Sequence, residues 1–322
     1  MINRFTYRNH PNYSVKTPKI LYIDRYGQIY PDCKTYITPP ICHITDNNSV
    51  EKILSAIFSG DEEKIFNMIT VEVSSKCNAK CFYCFQEDGN RGKCYPFYDE
   101  LLSLLNRLNT IWIFFSGGEI LVQKDAMDFI REYRTQNPNV WIHLKTNGNA
   151  QGKAIDFVKE CCNSVMISFN GFSETSYNTI MRLDIKKTIK FCETLLDEGT
   201  VNVGLKFLLS PAVAMELPIF LNWALDLRPK CIALQVAYNY EIEPSGKSKR
   251  LESTFENTTS SIYWNLISER ISENLTTIFR KYENELNCGY NYITADKELF
   301  SLYTIDTEIK KHFRTDGVYI IE

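Results

Sequence analysis

Two hydrophobic periods take turns along this chain, and each change of period marks an element. Between residues 66 and 74, Ile69, Val71 and Val73 alternate with Thr70, Glu72 and Ser74, which predicts a strand. Leu101, Leu102, Leu104, Leu105 and Leu108 recur at helical spacing and predict a helix over 98–108. The continuous apolar run at 110–115 fits a strand buried on both faces. A helix follows over 125–136, ended by Asn137-Pro138, then a strand over 139–145 with a turn at Thr146-Asn147-Gly148. Next come a helix over 154–161 and a strand over 164–169. Residues 173–198 read as mostly helical, with Gly199 as the stop. Strand 201–209, helix 217–227, strand 231–238 and a long amphipathic helix over 262–286 complete the pattern.

Strands alternating with helices of this length call for right-handed crossovers and a parallel sheet. The expected fold class is α/β, a partial (β/α)6 TIM-type barrel over 66–250. Residues 1–65 form an N-terminal appendage, with a hairpin turning at Arg25-Tyr26-Gly27 and a helix capped near Ser49. Residues 251–322 supply a C-terminal helix and a second small appendage. Parallel α/β barrels bind ligands at the C-terminal ends of their strands. Cys77 follows the first barrel strand, Gly117-Gly118-Glu119 the second, Asn147 the third, and 168–171 close the fourth. One shared edge therefore gathers the scattered motifs into a single site.

Bulk composition narrows the class. Of 322 residues, 44% are hydrophobic and 23% charged, the balance of a globular protein with a large core. A net charge of −3 argues against a non-specific nucleic-acid binder, which would carry a basic face. No signal peptide is evident at the start, and no apolar run approaches the roughly 20 residues of a membrane span. Eleven cysteines imply a reducing compartment, so a cytoplasmic protein is expected. His143, inside a predicted strand, reads as a core histidine.

The chemistry starts with Cys77, Cys81 and Cys84, a CxxxCxxC run on one loop. Three thiolates can hold three corners of a cubane iron–sulfur cluster and leave its fourth iron open. A zinc site is the competing reading, because Cys94 downstream could complete four ligands. The run, with Tyr83 before its last cysteine, resembles the signature of the radical S-adenosylmethionine (radical SAM) superfamily. In that family the open iron is chelated by S-adenosylmethionine, so the resemblance implies a [4Fe-4S] cluster and S-adenosylmethionine as cofactors.

Further motifs carry the resemblance across roughly residues 66–240. Ser116-Gly117-Gly118-Glu119 follows a buried strand, where two glycines let backbone carbonyls approach an ammonium and Glu119 adds negative charge. It is similar to the family motif that holds the amino group of the bound methionine moiety. Ser168, on the fourth strand, and Arg182, on the helix after it, match by position the residues that bind the carboxylate. An arginine fork suits a buried carboxylate. The chain departs from the family at Asn170, where an aspartate is frequent, and at Ile120, where a proline is.

The ends resemble, in degenerate form, the SPASM module of anaerobic sulfatase maturases and of maturases of ribosomally made peptides. That module lies at the C-terminus in the family, whereas here the hairpin-to-cysteine pattern leads to Cys33. Cys33, Cys42, Cys94 and Cys288 are the candidates for an auxiliary cluster; the alternative is a hairpin that packs on the barrel and contacts substrate without metal. The resemblance implies an enzyme that modifies a peptide or protein side chain and takes electrons from a flavodoxin- or ferredoxin-type donor. A small metabolite or nucleotide is the alternative substrate, and a non-catalytic zinc-binding module the alternative of another class.

Overall fold

A computed structural model describes residues 20–31, 40–44, 49–58, 65–81, 84, 97–242, 248–253, 262–282, 292–295 and 313–314. Six parallel strands stand side by side in chain order: β4 (Ile65–Glu72), β5 (Asn109–Ser116), β6 (Trp141–Thr146), β7 (Ser164–Phe169), β8 (Asn202–Leu209) and β9 (Cys231–Val236). Between them run α2 (Tyr98–Arg107), α3 (Lys124–Gln136), α4 (Lys153–Cys161), α5 (Glu174–Met181), α6 (Ile185–Glu198) and α7 (Leu217–Leu227). Each strand buries one set of alternate residues under these helices. Ile113 and Phe115 of β5, Leu144 of β6 and Phe207 of β8 join Leu104, Phe129, Phe157, Phe191 and Phe220 of the helices in one core.

The opposite face is more polar and aromatic. Tyr22, Tyr30, Met68 and Phe114 form one small cluster there, and Met166, Cys231 and Ala233 another. His143 is 5% exposed, stacks on Phe114 at 4.8 Å and places Nδ1 2.7 Å from Ser164 Oγ. Burial pushes it down to about 3, so it stays neutral, the core histidine expected. Cys192 and Cys231 are likewise buried.

Among the described residues, eleven strands make one open sheet, in which the six-unit core does not close on itself. The N-terminal hairpin joins that sheet: β1 (Ile20–Ile23) runs parallel to β4, and β2 (Gln28–Tyr30) and β3 (Cys42–His43) continue antiparallel. Its turn uses Gly27 at φ 81°, with Gly27 N donating to Asp24 O at 2.9 Å. Helix α1 (Val50–Ile57) starts at Ser49, whose side chain accepts from Lys52 N, as the sequence indicates. At the other edge β12 (Tyr292–Ala295) lies parallel to β9, and β13 (Phe313–Arg314) parallel to β12.

Most boundaries shift by one or two residues from the sequence reading, and three differences bear on the site and its flanks. The helical stretch 173–198 is two helices, because Arg182 turns left-handed at φ 59° and Asp184 caps α6 by accepting from Lys186 N. The last core strand stops at Val236, and β10 (Tyr238–Ile242) pairs instead with β11 (Ser248–Ser253) in a separate hairpin. Helix α8 (Ile262–Lys281) ends before residue 286. Among the described residues, no helix is long and apolar enough to cross a membrane.

Candidate functional site

The loop after β4 carries the cysteines, and the loop after β5 is stapled to it. Gly118 N donates to Ser74 O at 2.6 Å, Glu119 N to Lys76 O at 2.8 Å, and Gln123 Nε2 to Lys76 O at 2.8 Å. The two glycines are what permit this approach. A Cβ on Gly117, whose φ is +125°, would lie 2.4 Å from Ser74 O, and one on Gly118 would lie 2.0 Å from Lys76 O. The space they leave open is filled by the backbone of the cysteine loop.

Glu119 is 1% exposed, and both carboxylate oxygens turn into the protein. Thr146 Oγ1 and Leu121 N donate to Oε1 at 2.7 and 3.1 Å, and Asn147 N donates to Oε2 at 2.7 Å. Burial pushes its carboxyl up, and these three bonds oppose that shift. Asn147 passes the connection on: its Nδ2 donates to Asn78 Oδ1 at 2.8 Å, inside the cysteine loop. Thr188 Oγ1 holds the Asn147 carbonyl at 3.1 Å. Thr146, Asn78 and Gln123, which tie these loops together, were missed in the sequence. The sequence signal for Asn78 was its place between two cysteines.

Cys77, Cys81 and Cys84 are half-buried, and the first two pack against the main core. Ala79 N donates to Cys77 Sγ at 3.3 Å, and Asn170 Nδ2 to Cys81 Sγ at 3.8 Å. Lys80 N donates to Met181 O at 3.0 Å, which ties the loop to the end of α5. Among the described residues, no three metal-ligating side chains are drawn together, and none of the described cysteines is in a disulfide. Tyr83, Cys33, Cys94 and Cys288 lie outside the described residues. Cys42 sits in β3, and burial pushes its thiol up to about 11, so it stays protonated at neutral pH.

Ser168, on β7, pairs in register with Lys206 of β8. Its Oγ is shielded from solvent and has no hydrogen-bond partner among the described residues. A hydroxyl left in that condition costs about 1–3 kcal/mol unless something binds it. Arg182 is exposed and caps α5 rather than riding on a helix; its backbone N donates to Asn178 O.

An acidic pair that the sequence did not flag, Glu72 buried and Asp24 half-buried, borders the same rim. Glu72, the last residue of β4, accepts from Arg25 N at 3.4 Å and faces Arg25 Nη1 at 3.7 Å. Asp24 accepts from Tyr26 N and Gln28 N, both at 2.9 Å, and from Tyr30 OH at 3.4 Å. Burial, and next the charge of Glu72, raise Asp24 to about 7. A carboxyl raised above its unfolded value binds more protons in the folded state, so its stabilising contribution falls as pH rises from about 4 to 7. Asp24→Asn therefore flattens the pH dependence of thermal stability across that window relative to wild type. Melting curves at pH 4.5, 6 and 7.5 check this, and parallel profiles for both proteins would refute it.

The model of the Radical SAM superfamily matches residues 71–210, the span from the end of β4 past β8. Residues 71–210 form a radical SAM domain. A probable GTP 3′,8-cyclase of Methanocaldococcus jannaschii is 23% identical to this chain over 165 residues, which are 49% of the chain and 55% of the relative. The cysteine-type anaerobic sulfatase-maturating enzyme of Clostridium novyi is 30% identical over 155 residues, 43% of the chain and 41% of the relative. The chain thus spans about half the length of these curated relatives. Among solved structures, Streptococcus suis SuiB bound to S-adenosylmethionine superposes with a TM-score of 0.54 at 13% identity, over 82% of this chain and 60% of SuiB. The protein anSMEcpe with bound AdoMet gives 0.50 at 19% identity, over 72% of this chain and 61% of its own. At these identities the superpositions establish a shared fold.

The radical SAM family uses a [4Fe-4S] cluster and S-adenosylmethionine, and it is a family of enzymes. The radical SAM domain here has a matching donor set. Three thiols share one loop, and N–H donors at the sulfurs of Cys77 and Cys81 are of the kind that neutralise cluster thiolates. The orphaned Ser168 hydroxyl is a donor waiting for an acceptor on the same edge.

Proposed function

We propose that this chain is a radical SAM enzyme whose cluster is held by Cys77, Cys81 and Cys84. The observation that carries the reading is the rim itself: a three-cysteine loop stapled to Gly117-Gly118-Glu119, with the unpartnered Ser168 hydroxyl near the end of β7 on the same sheet edge. When bound and reduced, with an electron from a flavodoxin- or ferredoxin-type donor, the cluster supplies reductive cleavage of S-adenosylmethionine to methionine and a 5′-deoxyadenosyl radical that takes a hydrogen atom from the substrate. Gly117 and Gly118 bring the loop after β5 against the cysteine loop, which positions backbone for the methionine amino group. Ser168 donates to the carboxylate, with Arg182 and Tyr83 completing the pocket. Glu119 and Asn147 serve it by bracing, because their polar atoms tie the loops after β5 and β6 to the loop after β4.

The substrate is a ribosomally made peptide or a protein side chain. Support comes from the likeness to SuiB bound to the precursor peptide SuiA, which extends over 81% of this chain, and from the sulfatase-maturating relative. A small-molecule substrate is the second reading, favoured by the GTP 3′,8-cyclases among the curated relatives.

Anaerobic reconstitution with iron and sulfide, then reduction in the presence of S-adenosylmethionine, yields 5′-deoxyadenosine if the reading is right. A colourless zinc protein that leaves S-adenosylmethionine intact would overturn it. Ser168→Ala keeps its iron but binds S-adenosylmethionine about ten- to a hundred-fold more weakly, the worth of about 1.5–3 kcal/mol for a hydrogen bond to a charged group. Unchanged affinity by calorimetry would remove Ser168 from the pocket.

A further inference from the structure

One side chain reaches across the rim to a proposed cluster ligand. Asn170, directly after β7, is 6% exposed, and its Nδ2 donates to Cys81 Sγ at 3.8 Å. The loop it reaches is locked on its other sides by Lys80 N to Met181 O and by Asn147 to Asn78. Asn170 is itself fixed by position, since β7 ends at Phe169, which lies fully buried in the helix-side core. Neither end of the contact is a surface side chain able to drift away.

We propose that Asn170 is a positioning residue that sets the reduction potential of the cluster by donating a hydrogen bond to the Cys81 thiolate. The inference deepens the function proposed above and rests on Cys81 being a ligand. Reduction adds one negative charge to a group whose charge is already carried largely by sulfur. A buried N–H dipole aimed at that sulfur stabilises the reduced state more than the oxidised one, and so raises the potential. The choice of an amide matters. An aspartate of the same shape is an acceptor only when ionised, and it would set a negative charge against the thiolate where asparagine sets a proton. Asn170 thus eases the one-electron reduction that the proposed chemistry requires. The Ala79 N–H at Cys77 does the same from the backbone, beyond the reach of side-chain substitution.

The test compares wild type, Asn170→Ala and Asn170→Asp as full-length reconstituted proteins, by redox titration followed through the EPR signal of the reduced cluster. Iron and sulfide are counted on each sample. At a fixed potential, the ratio of reduced to oxidised cluster should fall about threefold in the alanine variant. In the aspartate variant it should fall about tenfold, equivalent to ~59 mV for a one-electron couple. A role confined to packing would lower iron content and leave the potential of the loaded fraction unmoved. An alanine variant with wild-type potential at matched iron content overturns the role of Asn170 and leaves the radical SAM reading standing. A wild-type protein that takes up no cluster overturns both. If the aspartate variant fails to hold iron, the alanine variant alone decides.

Discussion

Alanine in place of Cys77, Cys81 or Cys84, one at a time, takes cluster iron from about four per chain to near zero and 5′-deoxyadenosine to background. The size of the effect follows from the absence of redundancy. A cubane with an open iron takes three protein thiolates, and each substitution leaves two. Among the described residues no alternative group of three histidine, cysteine, aspartate or glutamate side chains stands ready to hold the metal instead. The fold should survive, because each cysteine is half-buried and the loop is also held by Gly118 N, Glu119 N, Gln123 and Asn147. Iron and sulfide counts, chromatography of the cleavage products and a circular dichroism spectrum of each variant are sufficient. Wild-type cleavage by any single variant would sink the assignment. The triple variant extends the test: about four irons retained there would reveal a second cluster.

Gly118→Ala should be nearly as damaging by a different route. The added Cβ would stand 2.0 Å from Lys76 O, 2.6 Å from Lys76 C and 2.8 Å from Ser75 C. All three are backbone atoms, so no rotamer change relieves the overlap. The loops after β4 and β5 must separate, which breaks the bonds from Gly118 N to Ser74 O and from Glu119 N to Lys76 O. Overpacking of this kind costs about 1–3 kcal/mol, and each broken buried bond adds about 1 kcal/mol. The expected result is a fall in urea midpoint together with at least about tenfold weaker S-adenosylmethionine binding. Gly204→Ala is the control, since its Cβ would press only on the flexible tip of Met166, at 2.9–3.0 Å, and would meet Cys231 Cβ at an ordinary 3.7 Å. If Gly118→Ala matches the Gly204→Ala control in both stability and binding, the close approach of the two loops has no functional weight.

Much of this architecture is legible in one dimension. Buried parallel strands need apolar residues on both faces, as in Ile111 to Phe115, and the helices between them need apolar residues three and four apart, as in Leu101, Leu104 and Leu105. Those patterns are local, so the six units could be counted from the sequence. The candidate site followed from the same count, because topology puts Cys77, Gly118 and Asn147 after three successive strands and Ser168 near the end of the next. Local signals failed where a residue's partner lies elsewhere in the chain. Arg182 looked helical because nothing nearby forbids it; its left-handed turn belongs to a corner where Met181 O must receive Lys80 N.

The two glycines and Glu119 show the same division. A glycine pair and an acid after a strand announce that something comes close, and the sequence cannot say what. Tertiary structure supplies the Lys76 carbonyl at Gly118 and the Thr146 and Asn147 donors at Glu119. The N-terminal hairpin was visible from its turn, yet its parallel pairing with β4 joins residues far apart in sequence. Only that pairing brings Asp24 and Arg25 to Glu72. By itself, then, the sequence determined the order of elements, the three-cysteine loop and the edge on which the motifs meet, because each is written in the spacing of neighbouring residues. The structure alone decided which backbone fills the glycine gaps, which groups hold Glu119, and that Asn170 faces Cys81. Each of those is a contact between distant segments, and its geometry exists only once the sheet has brought them together.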